Sequence, residues 1–447
     1  MLPRSVSTWP ETIGAKPGGR RLSQLLVSVG REYGSVIAGV GLTRALTFLA
    51  SVILARSLSL AGFGAYSFAY TITTLVAQLP NMLDASFVRN YAIDPSESSK
   101  RALLRAHLYI KVALLAVISL LSLALARPFS SAVLNKPHLE TLVIAALLGG
   151  GFFSLFNSAL AFHQARKRFL AYSVTFLAVN LLAFAALLVF LAVGRATPLG
   201  AMLTFNTFPY AIAAICASLW LLSRSTTSEK GLGKTSQLLR FSGWLIPAGP
   251  LYILLQRVDL IILSRYASYR VLGLYGAAVV LSSVVSLFTS NLQVIFLPKA
   301  AESFRKAEGL HDYLFQAFAA SSAIAVVAMG GLLTAPWILR VALGAQYVAA
   351  ALPLRVLFLG YVLVAMTPPL TALLYAAGRT KLIFGERLLE LAVALALCLI
   401  LVPRYAATGA ATSISLAYLL GGVYVLVNVR RVLREPELRT VESGVGS

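Results

Sequence analysis

The chain has 447 residues, of which 58% are hydrophobic and 12% are charged, and its mean hydropathy is +0.82. Soluble domains carry about 25% charged residues, so this composition excludes a soluble globular enzyme. The 38 Lys and Arg residues outnumber the 16 Asp and Glu residues, which gives a formal net charge of +22. The basic residues interrupt long apolar runs instead of lining a polar face. This pattern argues against nucleic-acid binding and indicates a membrane topology signal.

The N-terminal segment, residues 1–33, has no signal-peptide pattern, because no short apolar core is followed by a small-residue cleavage site. Leu22, Leu25, Leu26 and Val29 lie at helical spacing among basic residues. This spacing predicts an interfacial helix that leads into the first membrane span.

Long apolar runs fill most of the remaining chain. A helix needs about 20 apolar residues to cross about 30 Å of hydrocarbon. A window of this length predicts an all-α polytopic membrane protein with twelve spans, at 34–55, 65–87, 105–126, 139–162, 170–193, 199–222, 243–264, 273–297, 313–335, 352–376, 382–402 and 406–428. The connections between these spans are short, so no separate soluble domain is expected.

The distribution of Lys and Arg predicts the orientation, because basic loops stay in the cytoplasm. The two terminal segments and the loops after even-numbered spans hold 26 of the 38 basic residues, and the loops after odd-numbered spans hold 8. We therefore predict a multi-pass protein of the cytoplasmic (inner) membrane with both termini in the cytoplasm.

An internal repeat relates the two halves of the chain. Offsets of 209 and 213 residues superpose basic, Gly and Tyr positions in corresponding loops: Arg56 on Arg265, Gly64 on Gly273, Tyr66 on Tyr275, and Arg166 on Arg379. Six spans per half is an even number, so both halves enter from the same side and a pseudo-two-fold axis along the membrane normal is expected. The predicted units are segment 1–33, bundle 34–222, cytoplasmic linker 223–242, bundle 243–428 and tail 429–447.

Two stretches of sequence carry a family resemblance. They are GLTRALTFLASVILARSLSLAGFGAYSFAYTI around span 1, and RFSGWLIPAGPLYILLQRVDLIILSRYASYRVLGLYGAA around span 7 with the later Leu297-Pro298 pair. Over residues 25–430 the chain resembles polysaccharide transporters, the lipid-linked oligosaccharide (O-antigen) flippases of the MATE-like exporter superfamily. The resemblance implies a MATE-like fold, a cationic central cavity, alternating access and a lipid-linked oligosaccharide as substrate.

Two arginines lie deep inside predicted spans, where charge costs about 2.5–3.5 kcal/mol on insertion scales. Arg44 is eleven residues into span 1, about 16 Å deep at 1.5 Å per residue, and Arg257 lies in span 7 close to Asp259. Guanidinium groups pair bidentately with phosphate oxygens, so Arg44 and Arg257 are predicted to line the cargo cavity. Asp259, two residues from Arg257, is predicted to line the same cavity. The alternative is a set of structural ion pairs between these arginines and Asp259 or Glu390.

Other charged residues within the spans have less direct interpretations. Glu386 and Glu390 lie four residues apart on one helix face, and together with Asp84 they are candidates for cation coupling or ion pairing. Asp84 is also a candidate loop anchor. Lys111 and Arg355 lie near span ends and are expected to snorkel to the interface.

Residues that interrupt helices suggest hinges for a rocking motion. The candidates are Gly39, Gly41, Pro247, Gly249, Pro250, Pro368 and Pro369. The alternative for the glycines is close packing of helices through small residues.

The remaining residues favour transport over catalysis. Four His and two Cys residues lack ligand spacing, so no metal, cofactor or catalytic residue is predicted, and the protein is not expected to be an enzyme. A cation-coupled multidrug exporter is the first alternative, although residues 34–55 contain no carboxylate. A polysaccharide polymerase or ligase is less favoured, because such enzymes need a sizeable outer loop and the outer loops predicted for this chain are short. A lipid II type of flippase more often has fourteen spans. The expected partners are the lipid-linked oligosaccharide, the bilayer and other membrane proteins of cell-surface or exopolysaccharide assembly, with no nucleic acid.

Overall fold

The computed structural model describes residues 39–78, 80–128, 130–131, 139–194, 196–225, 235, 238, 254, 257–305 and 309–434. These residues form helices and short turns only, because a helix satisfies its own backbone groups inside lipid. In chain order the elements are α1 (Gly39–Ser57), α2 (Leu60–Gln78), α3 (Asn81–Ile93), α4 (Glu97–Pro128), α5 (Glu140–Ala165), α6 (Phe169–Ala192), α7 (Pro198–Met202), a π-helix (Leu203–Thr207), α8 (Phe208–Arg224), α9 (Val258–Tyr266), α10 (Tyr269–Arg305), α11 (Gly309–Ala342), a 3-10 helix (Ala345–Ala350), α12 (Ala351–Val364), α13 (Thr367–Ala376) and α14 (Thr380–Val432).

The all-α polytopic membrane fold predicted from the sequence is confirmed. Within the described part of the chain, nine helices are long and apolar enough to cross a membrane. The count of twelve stays a prediction, because most of predicted span 7 lies outside the described residues.

Helix α14 is a folded-back pair of crossings. Its 53 residues would extend about 80 Å, far more than one crossing needs. The backbone turns sharply at Ala406 (φ 48°, ψ −123°). Beyond the turn, Gly421 packs against Glu390, and Gly385 packs against the Tyr424 hydroxyl. The two arms therefore run antiparallel, as predicted for spans 11 and 12.

The internal repeat coincides with a close helix crossing between α2 and α10. A Cβ added at Gly64 would overlap the Tyr269 carbonyl, and a Cβ added at Gly273 would overlap the Leu60 carbonyl. These two contacts are reciprocal, because Gly64 is equivalent to Gly273 and Leu60 is equivalent to Tyr269 at the same offset of 209 residues. A pseudo-two-fold axis through this crossing explains the symmetry, since equivalent residues on such an axis face each other. Glycine is required here because the two backbones touch.

Polar contacts join the two halves at the end of the bundle that holds Arg56, called here the Arg56 end. Arg56 Nε donates to the Ala342 carbonyl at 2.8 Å, and Arg56 Nη2 donates to the Val341 carbonyl. Both carbonyls belong to the last turn of α11, where helix carbonyls lack intrahelical partners. Tyr347 donates its hydroxyl to the Ala55 carbonyl at 2.8 Å.

The hydrophobic cores show that the halves separate away from the Arg56 end. One large core contains residues of both halves, including Phe63, Tyr275 and Tyr347. Helices α2 and α10 both start at the Arg56 end and run to the opposite end. At the opposite end, Tyr91 belongs to a core that is built from residues of the first half and the linker residue Leu238. Phe296 belongs to a different core, which contains only residues of the second half. Among the described residues, the bundle is thus closed at the Arg56 end and its halves have separate cores at the opposite end.

Candidate functional site

The two arginines predicted to contact cargo both reach the molecular surface. Arg44 lies on α1 and is exposed, and Arg257 is half-exposed at the N-cap of α9. Within the described residues neither forms a salt bridge with Asp259 or Glu390, so the structural ion pairs considered from the sequence are not formed. Their role in cargo binding stays a prediction.

Asp259 is buried in the second half and faces a small cavity. It accepts a hydrogen bond from the Tyr275 hydroxyl, and its Oδ1 accepts one from the Leu260 backbone N–H at 2.8 Å. The cavity measures about 70 Å³ and is also lined by Ser282, Ser415 and Tyr418. One water needs about 10–15 Å³ on this measure. The space fits a few waters or an ion but no sugar.

A second buried group lies on the first arm of α14, where Glu390 packs against Gly421, three residues after Tyr418 of the cavity lining. Arg387 Nη1 donates to Glu390 Oε2 at 2.7 Å, and Arg387 Nη2 lies 3.6 Å from Glu386 Oε1. Glu386 is fully buried, and within the described residues neither of its oxygens accepts a hydrogen bond. Two carboxyl groups therefore share one guanidinium, and the group has a net negative charge when both carboxyl groups are ionised. Arg387 was counted from the sequence among the basic loop residues that predict the orientation, whereas the structure places its side chain in this buried group.

The first half buries a different charged group around Asp84. Lys111 Nζ lies 2.9 Å from Asp84 Oδ2 and 3.2 Å from both the hydroxyl and the carbonyl oxygen of Ser154. His107 Nε2 lies 3.2 Å from Asp84 Oδ1, and its ring stacks on Phe87 at 4.6 Å. Among the candidate roles of Asp84, the structure shows ion pairing.

The expectation that Lys111 snorkels to the interface is wrong, because this side chain is 1% exposed. Lys111 is the fourth residue after His107, so both side chains lie on one face of α4. Asp84 and Ser154 provide the charge and hydrogen-bond partners that interfacial water would have provided to a snorkelling lysine. Arg355, the other lysine or arginine expected to snorkel, is exposed.

The predicted hinges fall into three groups. Pro247, Gly249 and Pro250 lie outside the described residues. Gly41 is inside the continuous helix α1, and Gly39 packs its Cα against Ser173, so the interruption expected in α1 does not appear among these residues. A broken helix would expose backbone groups to lipid, which disfavours the interruption.

Pro368 and Pro369 follow a real break. Helix α12 ends at Val364 and α13 begins at Thr367, with both prolines in the first turn of α13. The Pro369 carbonyl accepts a hydrogen bond from the Tyr313 hydroxyl at 2.7 Å. A neighbouring helix therefore satisfies backbone near the break.

Several residues that organise the site were missed from the sequence. Tyr347, which joins the halves, and Asn206, which donates to the Tyr66 hydroxyl at 3.1 Å from the π-helix, gave no pattern that marks them. The spacing of His107 and Lys111 was the one available signal. Among the described residues no group of three or more His, Cys, Asp or Glu could hold a metal.

Comparison with known families decides the classification. A sequence profile of the family described as "Polysaccharide biosynthesis protein" matches residues 29–298, more than half of the chain. The chain belongs to the polysaccharide biosynthesis protein family. No curated protein matches it significantly.

Solved structures share the fold of this polysaccharide biosynthesis family member. The lipid II flippase MurJ in an inward closed conformation matches with a TM-score of 0.70 at 15% identity, covering 88% of this chain and 87% of that chain. An inward-facing MATE multidrug resistance transporter of the MOP superfamily matches with a TM-score of 0.69 at 13% identity, covering 91% and 100%. An outward-facing MATE transporter of that superfamily matches with 0.55 at 14% identity, covering 91% and 95%. The MATE-like fold implied by the sequence resemblance is confirmed.

Proposed function

We propose that this protein flips a polyprenyl-diphosphate-linked oligosaccharide across the cytoplasmic membrane for cell-surface or exopolysaccharide assembly. The observation that carries the proposal is the asymmetric bundle, joined at the Arg56 end and with separate cores at the other. Its higher TM-score with an inward-facing than with an outward-facing MATE transporter supports the same conformation. No covalent bond changes in such a step.

The basic residues orient this conformation. The end opposite Arg56 belongs to the side with 26 of 38 Lys and Arg residues, which we assign to the cytoplasm. The cargo headgroup then approaches from the cytoplasm between bundles 34–222 and 243–428, while the polyprenyl tail stays in lipid. The boundaries of these bundles are part of the proposal.

Arg44 and Arg257 are the proposed contacts for the diphosphate. Both are accessible, and neither forms a salt bridge with an acidic side chain of the described residues. A planar guanidinium keeps its charge and can donate two parallel hydrogen bonds to phosphate. Asp259 is the weakest of the proposed cargo contacts, because its carboxylate is bound by Tyr275 and Leu260.

Opening toward the outside requires the Arg56 end to separate. The Arg56 and Tyr347 hydrogen bonds must break, and α2 must move away from α10 at Gly64 and Gly273. Polar contacts to backbone carbonyls suit a gate, because each is worth only about 1 kcal/mol net and water can replace it. Pro368 and Pro369 are proposed as a hinge in this motion.

Depletion of the protein in its host tests the proposal. We expect a complete lipid-linked repeat unit to accumulate on the cytoplasmic leaflet, because synthesis continues while translocation stops. Accumulation on the outer leaflet would instead indicate a defect in polymerisation and would contradict flipping.

Substitution tests the cargo site. Arg44→Ala and Arg257→Ala should each abolish complementation, whereas Arg404→Ala, another exposed arginine, serves as the matched control. Normal transport by a correctly inserted Arg257→Ala protein would remove this residue from the cargo site. The inserted amount is measured in each case by membrane fractionation.

A cation-coupled multidrug exporter is the second candidate. The excess negative charge of Glu386, Arg387 and Glu390 beside the Asp259 cavity favours it. Efflux of a cationic dye from vesicles under an imposed Na⁺ or H⁺ gradient distinguishes the two functions. A flippase without drug transport shows no gradient-dependent efflux.

A further inference from the structure

Three aromatic rings form a continuous row at the end of the first half opposite Arg56. The Tyr91 and Phe162 ring centroids are 5.9 Å apart and those of Phe162 and Trp220 are 5.5 Å apart, both in edge-to-face geometry. This row, called here the aromatic ladder, joins α3, α5 and α8. Edge-to-face pairs are favourable beyond their buried area, so the ladder fixes the relative positions of these helix ends.

Each ring of the ladder carries a cation. Arg224 lies 4.9 Å from the Trp220 centroid, Arg166 lies 5.5 Å from that of Phe162, and Lys100 lies 5.8 Å from that of Tyr91. These distances are within the range of cation–π attraction. Lys100 is also paired with Glu97 at 2.9 Å. Arg166 and Arg224 form no salt bridge with any described residue.

The charge around the ladder is strongly positive. Residues 89–105, the loop 166–168 and the end of α8 contain eight Lys and Arg residues and two acids, Asp94 and Glu97. Arg166 and Arg224 are both exposed. Their guanidinium donors are thus oriented by the rings and open to an external acceptor.

The surface next to these cations is apolar. On α8, Ile215, Leu219 and Leu222 are 55%, 64% and 40% exposed and follow helical spacing on one face. Trp220, which is 36% exposed, separates this face from Arg224 at the helix end. Tryptophan in this position is typical of the headgroup level of a bilayer. The arrangement matches a molecule with an anionic head and hydrocarbon tails.

We propose that the aromatic ladder, with Arg166 and Arg224, is a docking surface for anionic phospholipid. Phosphate oxygens of the lipid headgroup accept hydrogen bonds from Arg166 or Arg224, and the acyl chains lie along the exposed face of α8. Zwitterionic lipid lacks the net charge that these cations select. The surface is separate from the proposed cargo contacts and does not depend on the proposed transport.

Lipid binding to the purified full chain tests this surface. Cardiolipin, phosphatidylglycerol, phosphatidylcholine and undecaprenyl diphosphate are added separately to the protein in detergent, and bound lipid is measured by native mass spectrometry together with the shift in unfolding temperature. We expect binding of both anionic lipids and little of phosphatidylcholine. The double variant Arg166→Gln, Arg224→Gln should weaken anionic-lipid binding on the order of 30-fold at low salt, since each surface Lys or Arg contributes about fivefold.

The control is the double variant Arg430→Gln, Arg431→Gln. These arginines also occupy the last turn of a helix at this end, where helix dipoles favour cations. We expect their loss to leave binding within a few-fold of wild type, because no ring of a described residue orients these two cations toward a bound phosphate. Trp220→Leu keeps both cations and should lower binding, because the Arg224 position is no longer fixed.

Three outcomes would overturn the proposal. They are equal weakening in both double variants, equal binding of phosphatidylcholine, and selective binding of undecaprenyl diphosphate with no binding of phosphatidylglycerol. The last result would assign the surface to cargo. Circular dichroism of each variant confirms folding, so that a loss of binding reports on the surface.

Discussion

In the first half of the bundle, Asp84 lies between Lys111 and His107, and Ser154 completes the contacts of the lysine. In the second half, Glu386 and Glu390 share Arg387, and Glu386 accepts no hydrogen bond from a described residue. A buried charge is costly unless it is paired and hydrogen-bonded. In the first group Lys111 is bonded to both Asp84 and Ser154, although Asp84 Oδ1 and the two His107 ring nitrogens have no hydrogen-bond partner among the described residues. In the second group Glu390 is bonded to Arg387, but neither oxygen of Glu386 has a partner among these residues. The difference indicates a structural joint in one half and a site with capacity for a further cation in the other.

The largest expected effect comes from removing the cation of the first group. Lys111→Met leaves Asp84 buried beside His107 alone, and breaking such a pair costs about 3–5 kcal/mol of stability. Thermal unfolding in detergent should show a large loss. The double variant Asp84→Leu, Lys111→Met should recover much of it, because no charge stays buried. If Lys111→Met were as stable as wild type, the interpretation as a structural joint would fail.

Removing the cation of the second group should cost less. Arg387→Gln takes away a hydrogen bond to Glu390 that is worth about 1.5–3 kcal/mol. Arg387 is partly exposed, and a proton or another cation can replace its charge. The unfolding temperature should therefore fall less than in Lys111→Met and should depend on pH and Na⁺. A loss as large as that of Lys111→Met would make the two groups equivalent.

A smaller change sharpens the comparison within the first half. Ser154→Ala removes one neutral acceptor of a Lys111 Nζ hydrogen bond, with an expected cost of about 1 kcal/mol. Ser122→Ala is the control, because the Ser122 hydroxyl bonds within its own helix to the Ser119 carbonyl. Equal unfolding temperatures for the two variants would show that Ser154 contributes nothing to the joint.

The smallest effect on stability is expected for Glu386→Gln. The substitution removes a buried charge that has no hydrogen bond among the described residues, so stability should change by less than about 1 kcal/mol. If the second group couples a cation, transport should nevertheless lose its dependence on an ion gradient. Gradient-dependent transport equal to wild type would contradict the coupling.

The sequence anticipated the membrane fold through properties that act locally. Apolar length predicted the helices, and the reversal near Ala406 falls between predicted spans 11 and 12. The 209-residue repeat predicted that Gly64 and Gly273 are equivalent, but not that they face each other. Lys111 was misjudged because its distance from a span end suggested an escape route, whereas its partners Asp84 and Ser154 come from other helices.

The sequence by itself determined that the chain is a helical membrane protein with two related halves and a strongly biased distribution of basic residues. These features follow from hydrophobic length and charge, which need no knowledge of neighbours. Only the tertiary structure decided which charges meet, which end of the bundle is joined, and which rings hold Arg166 and Arg224. Such contacts depend on how helices far apart in sequence cross each other, and periodicity within one helix carries no information about that.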